Sequence, residues 1–364
     1  MPRLSPIKII RSAAWAFKLM SVNIVLFCLL FLVLEGAHRS YAYIVNGRSL
    51  FRQNPFISPW ITTFDYPPPM IGRDGKSYFR HRTAPTSVEK SGGTFRIIAV
   101  GGSTTANEKS FELTGADYSL ALEKKLSAAM SGITIEVLNA GGSAYSTAQS
   151  LINIEFRLIE YNPDIILLMH NINDSSVNFF NGGATSDYSN KYLKPYFLSP
   201  SLQGTLSVSG FLTQSRFLAK YVLPQILATK SGDLNPEADY NAGIRFFRRN
   251  IASIAGICKE NNIRLVLLSQ PYSMKSHPFV SMDAFLAYDQ VIAEIAEEQM
   301  VDFVDMYSEF GHEERFFLDE FHYSPEGIDR FSDILFLKLK PMIEGELSRE
   351  TPIETTGFNG VQNG

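Results

Sequence analysis

The sequence holds two cysteines in 364 residues, Cys28 and Cys258. That arithmetic excludes a disulfide framework and a cysteine metal site. Histidine is also sparse, and His38, His81, His277 and His312 have no partner spacing of a metal-ligand kind. His170 ends a predicted buried strand and reads as a structural histidine. No metal and no cofactor is therefore expected. Positive charge is not in excess: 33 Lys and Arg stand against 37 Asp and Glu, a formal net charge of -4. Nucleic acid is excluded as an expected partner on that balance. There is no internal repeat and no Gly-x-Ser-x-Gly elbow. What is present is 45% hydrophobic residues and enough length for one large domain or two small ones.

The N-terminus carries the first positive signal. Arg3, Lys8, Arg11 and Lys18 precede the uncharged run Leu19 to Leu34, a membrane-targeting pattern without the polar stripe of a soluble helix. Cleavage after Ala37 or Ala42 is disfavoured by Glu35 and Arg39. The reading is an uncleaved single-pass signal-anchor over 19–35 with a basic cytoplasmic tail, 1–18. All that follows would lie outside the inner membrane, in the periplasm of a Gram-negative cell.

Residues 36–94 show no clear period and contain Tyr66-Pro67-Pro68-Pro69 and Ser91-Gly92-Gly93, an extended spacer with local turns. From Phe95 the chain alternates strand and helix. Strands are expected at Arg96–Val100, 133–138, 165–170, 263–271 and 301–306. Thr114-x-x-Asp117 and Ser146-x-x-Gln149 read as capping boxes, the latter opening a helix to about Tyr161. Further helices are expected from Asn235-Pro236 to about Asn261, from Met282 to Met300, and from Ser324-Pro325 to about Ile343. Strands joined through helices imply a parallel sheet covered on both faces. The domain is placed at 95–345, with a disordered tail at 346–364. Residues 175–232 are too long for an ordinary loop and rich in Phe and Tyr, which makes a lid or wall over a substrate site the expectation. A membrane-resting surface and a packing excursion are the alternatives.

The stretch FRIIAVGGSTT, Phe95 to Thr105, places a glycine pair and Ser103 just past a buried strand, where open α/β sheets bind ligands. By itself it is open to three readings: a nucleophile, a phosphate cradle, or a turn and helix cap. A serine nucleophile needs a histidine to take its proton, an acid to orient that histidine and donors for an oxyanion. Asp319 and His322 supply an Asp-x-x-His spacing after the fifth strand. Asn173, after the third, offers a side-chain amide.

Taken in order, these residues resemble the SGNH hydrolase superfamily, the GDSL esterases. Gly101-Gly102-Ser103-Thr104 matches the first block with Gly102 in place of aspartate. Asn139-Ala140-Gly141-Gly142-Ser143-Ala144 looks like the second, Ala144 standing at the oxyanion glycine. Asn171-Ile172-Asn173-Asp174 looks like the third, with Asn171 in place of glycine. Asp319 and His322 match the last unchanged.

The resemblance covers about Phe95 to Ile343. It implies a three-layer α/β/α, flavodoxin-like fold with five parallel strands. It also implies Ser103 as nucleophile, His322 as base, Asp319 as its orienting acid, and Ser103 N–H, Ala144 N–H and Asn173 as oxyanion donors. Gly102, Thr104, Tyr145, Asn171 and Asp174, their neighbours in the blocks, are the candidate substrate contacts. The expected activity is cleavage of an ester, a short acyl group such as acetyl on an exported glycan. An acyltransferase acting on an exported polysaccharide, or a catalytically silent binding protein, are the alternatives.

Overall fold

The computed structural model describes residues 6–46, 69–72, 74–180, 183–188, 191, 217, 239–273 and 281–350. The chain divides into two units, Met1–Phe64 with Tyr192–Asp233, and Asp65–Lys191 with Leu234–Gly364.

In the first unit, helix α1 spans Pro6–Asn46. Its stretch Met20–Val45 is long and apolar enough to cross a membrane, as an anchor or a signal sequence. Leu26, Phe27, Leu30 and Val33 are exposed, as lipid-facing residues are. The expected span ended at residue 35, whereas the helix runs on to Asn46. Glu35 and Arg39, one turn apart, pair at 2.7 Å, and Glu35 also accepts the Phe217 N–H at 3.0 Å. Compensated charges of this kind let the helix continue through a polar turn. Apart from Lys191 and Phe217, residues 189–232 of the expected lid lie outside the described residues.

The second unit holds a five-stranded parallel sheet of β1 (Thr94–Gly101), β2 (Thr134–Asn139), β3 (Ile165–Met169), β4 (Arg264–Leu268) and β5 (Asp302–Val304). The order is β2-β1-β3-β4-β5. Alternate residues of β1 enter opposite cores because strand side chains alternate between faces. Phe95, Ile97 and Ala99 pack under Tyr118, Leu122 and Leu126 of α2 (Tyr118–Ala129) and Phe331, Leu335 and Leu339 of the C-terminal helix. Ile98 and Val100 pack with Ile154 and Leu158, with Phe247, Ile251 and Ile254, and with Tyr288 and Ile292. Three layers follow from that alternation. One β1 residue breaks the apolar run: Arg96 is buried, bonding Glu136 Oε2 at 2.7 Å, Tyr161 O at 2.6 Å and Val88 O at 3.2 Å.

Several element ends differ from expectation. The cap of α2 is Asp117, which accepts the Leu120 N–H at 2.8 Å, while Thr114 closes the preceding helix, Glu108–Thr114, by bonding back to Ser110 O. The Ser146/Gln149 capping box forms at the start of α3 (Thr147–Asn153), which continues through a wider turn and a tighter one to Tyr161. Helix α4 spans Asn241–Glu260 and α5 Met282–Gln299; Asn235 and Pro236 lie outside the described residues. The last helix, α6, runs Pro325–Glu350, past the expected end at Ile343 and into the expected tail. In this extension Glu346 is tied to Arg264 at 3.0 Å. Residues 351–364 are not among those described.

The end of the expected spacer is bound to this unit. Arg80 and Arg82 pair with Glu108 and Glu123, Lys90 with Asp164 at 2.6 Å, and His81 with the buried Asp117 at 2.6 Å. His81 also stacks on Phe111, centroids 3.8 Å apart.

Candidate active site

β1 and β3 are neighbours, with Gly101 opposite Met169. The chain leaves β1 toward β2 and returns on its other side to β3, so the strand order reverses between them. That is where doubly wound sheets open a crevice at their carboxyl ends. Ser103, two residues past β1, begins the short helix Ser103–Ala106. Asn173, in the short helix Ile172–Ser175, follows β3.

The glycines before Ser103 serve close approach. Gly102 has φ −82°, and Gly101 is still in the strand. A Cβ on Gly101 would lie 2.5 Å from Met169 O, and one on Gly102 would lie 2.7 Å from Asn173 Nδ2. Gly141 is tighter still: a Cβ there would be 2.3 Å from the Ala106 nitrogen and 2.7 Å from the Thr105 carbonyl carbon. The second block thus packs backbone to backbone on the helix that starts with Ser103.

Asp319 and His322 arrive from a distant strand. After β5 the chain turns through Met306–Phe310 and returns by way of Phe316, Phe317 and Tyr323, all buried in the core around Phe310. Phe317 bridges Tyr323, and Leu318 N–H donates to His322 O at 2.7 Å. Asp319 to His322 is therefore the tip of a tight loop whose two stems are apolar anchors. Ser110 Oγ reaches Tyr323 O at 2.5 Å, linking this loop to the segment after Ser103.

At the tip, His322 Nε2 is 3.0 Å from Ser103 Oγ. Its Nδ1 is 2.9 Å from both oxygens of Asp319. Asp319 also accepts the Phe321 and His322 N–H groups at 3.1 and 2.9 Å and the Lys109 ammonium at 3.0 Å. Burial pushes this carboxyl up, but its bonds from His322, ring and backbone, and from Phe321 outweigh it and hold it below the usual carboxylate range. An ionised Asp319 at Nδ1 favours the ring tautomer that presents Nε2 as an acceptor toward Ser103 Oγ. Ser103, His322 and Asp319 are thus in one hydrogen-bonded line, the arrangement that a nucleophile, its base and an orienting acid require.

Asn173 Nδ2 donates to Tyr145 O at 2.9 Å. Ala144, just before Tyr145, has φ +59°, the left-handed region where glycine is at ease and alanine is not. Of the remaining candidates, Thr104, Tyr145, Asn171 and Asp174 are buried. Asn171 donates to Phe285 O and Asp289 Oδ1 at 2.9 and 3.1 Å. Asp174 takes Thr147 N–H, Thr147 Oγ1–H and Tyr188 O–H. Both side chains lie beneath the site. His170 is buried with Nε2 2.7 Å from Ser150 Oγ.

Two supports were not visible in the sequence. Arg80 Nε donates to Gly141 O at 2.5 Å, and Arg80 pairs with Glu108, which accepts Ser143 O–H at 3.1 Å; an arginine in a segment without periodicity gives no sign of this. Lys191 is the other. Among the described residues no cluster of His, Cys, Asp and Glu is arranged to hold a metal ion.

A family model for the GDSL-like lipase/acylhydrolase family matches residues 99–330, from β1 into α6. The chain belongs to that family. It is a hydrolase acting on ester bonds. Among solved structures, the GDSL-like chain is similar to the lipase/acylhydrolase from Enterococcus faecalis at 14% identity, covering 68% of this chain and 96% of that one with a TM-score of 0.43. It is also similar to an acetylxylan esterase from Geobacillus stearothermophilus at 17% identity, covering 67% and 94% with a TM-score of 0.43. A search of curated proteins finds no match.

Proposed function

We propose that this GDSL-like hydrolase is a membrane-anchored esterase removing short acyl groups, acetyl above all, from an exported glycan. Ser103 attacks the acyl carbon, His322 Nε2 takes its proton and returns it to the leaving alkoxide, and the acyl-enzyme is released to water. Asp319 orients the ring and stabilises its charged form. Ser103 N–H, Ala144 N–H and the Asn173 amide hold the oxyanion, each such donor being worth about 3 kcal/mol. The observation that carries the reading is the 3.0 Å contact of His322 Nε2 with Ser103 Oγ, with Asp319 on the other ring nitrogen.

The anchor supports an envelope substrate, since a diffusing metabolite needs no tether. Met20–Val45 would hold the protein in the inner membrane with the hydrolase domain on the periplasmic side. The test is release of acetate from acetylated xylan or another acetylated polysaccharide by the full chain in detergent, against the Ser103→Ala variant. Release by the wild type alone supports the reading; equal release by both rejects it.

A further inference from the structure

Lys191 is 4% exposed, rare for an ammonium without a dedicated role. Its nitrogen donates to Asn173 O at 3.0 Å and to Ser176 Oγ at 2.9 Å, and it lies 3.4 Å from Asn173 Oδ1. Its backbone N–H is pinned to Tyr188 O at 3.1 Å. Burial pulls the amine down to about 7, against the nearby Asp174 carboxylate, which favours its charged form. Stability alone does not explain the cation, because an apolar side chain of similar volume commonly serves a core as well as a buried charge does.

The surroundings of Asn173 supply the reason. A carboxamide has an acceptor end and a donor end. Lys191 faces the acceptor end, and Tyr145 O takes one N–H of the donor end at 2.9 Å. Rotating the amide by half a turn would set NH2 against an ammonium and one carbonyl oxygen against another. Gly102 lies against Nδ2, where a Cβ would come within 2.7 Å, so the donor end rests on the backbone that leads into Ser103.

We propose that Lys191 is a positioning residue that locks the sense of the Asn173 amide and polarises it, making its N–H a stronger and preorganised donor to the oxyanion. This rests on the reading of Asn173 as an oxyanion donor and of Ser103 as the nucleophile. A cation on the amide oxygen draws electron density from nitrogen, and hydrogen bonds in a chain strengthen one another. Preorganisation of this kind acts on the transition state and leaves ground-state binding alone.

The experiment is a double-mutant cycle on the full chain in detergent with p-nitrophenyl acetate, using Lys191→Met, Asn173→Ala and both together. Rates are taken per folded molecule from a thermal melt of each variant. Asn173→Ala should lower kcat about 100-fold or more. Lys191→Met should lower kcat about tenfold with KM changed less than about twofold, and should cost nothing further in the Asn173→Ala background. Lys191→Gln, which retains a neutral donor, should show a smaller loss and the same non-additivity. An undiminished kcat in both Lys191 variants overturns the proposal, as does an equal loss with and without Asn173. Full activity in Asn173→Ala overturns the oxyanion role itself, and Ser103→Ala assayed alongside reports separately on the nucleophile.

Discussion

Asp319 holds His322 twice, by the ring at Nδ1 and by the backbone N–H, both at 2.9 Å. The Asp-x-x-His spacing is what permits this: a side chain accepting the N–H of the third residue on closes a turn that brings the ring of that residue back over the carboxylate. Asp319→Asn should keep the turn but present an amide to Nδ1, favouring the tautomer that leaves Nε2 protonated. The expected loss in kcat is about 10³–10⁴-fold, with KM little changed, read from steady-state kinetics on p-nitrophenyl acetate. A loss below about tenfold would mean that His322 is not oriented by Asp319.

Lys109 also touches Asp319, at 3.0 Å, from an exposed position. Such surface pairs contribute little. Lys109→Ala should leave kcat/KM within about threefold of wild type, and a drop of the size seen for Asp319→Asn would instead give this lysine a part in the site.

At Ala144 the backbone is left-handed, φ +59°. Ala144→Gly should relieve about 1 kcal/mol of strain and raise the melting temperature by about 2–4 °C, with activity retained because the N–H is unchanged. A fall in melting temperature would show that the methyl group packs well enough to outweigh the strain. Gly141 is the converse case. Gly141→Ala has only backbone to push against, so it should cost about 1–3 kcal/mol and reduce kcat by displacing the helix that carries Ser103. A calorimetric melt and an esterase assay check both halves.

His170 gives a pH signature. Burial holds its imidazole at about 3, below the ordinary 6.5. Between those values the unfolded chain binds a proton that the native state refuses, so this contribution is present above about pH 6.5 and is lost as pH falls toward 3. Asp174, with Nδ1 of His170 3.7 Å away, is shifted the opposite way by burial, up to about 6, and acts in both wild type and variant. The melting temperature of the wild type should therefore fall more steeply than that of His170→Gln between pH 6.5 and 4. Parallel curves would show that His170 titrates normally.

Much of this was legible in the sequence. The β-branched run at Ile97, Ile98 and Val100 and the apolar run 165–169 gave the central strands, and the order of polar residues after them gave Ser103, Asn173, Asp319 and His322. Boundaries were less legible. Thr114 and Asp117 both look like caps, yet Thr114 bonds back to Ser110 O and ends one helix before the left-handed Gly115, while Asp117 accepts the Leu120 N–H and starts the next. The helix at Pro325–Glu350 outran its apolar periodicity because an ion pair to Arg264 holds its last turns. Arg80 and Lys191 were invisible for another reason. Each acts by reaching a distant backbone or side-chain oxygen, Gly141 O and the carboxamide of Asn173, and neither periodicity nor local spacing encodes such a partner.

The central claim is that Ser103 is the nucleophile of the acyl-enzyme. Its most direct test is incubation of the full-length protein in detergent with a fluorophosphonate, followed by peptide mapping of the labelled residue. The account predicts one covalent label on Ser103, lost in Ser103→Ala and strongly slowed in a His322 variant, which lacks the base. Labelling at another serine, or undiminished labelling and ester cleavage in Ser103→Ala, would contradict it.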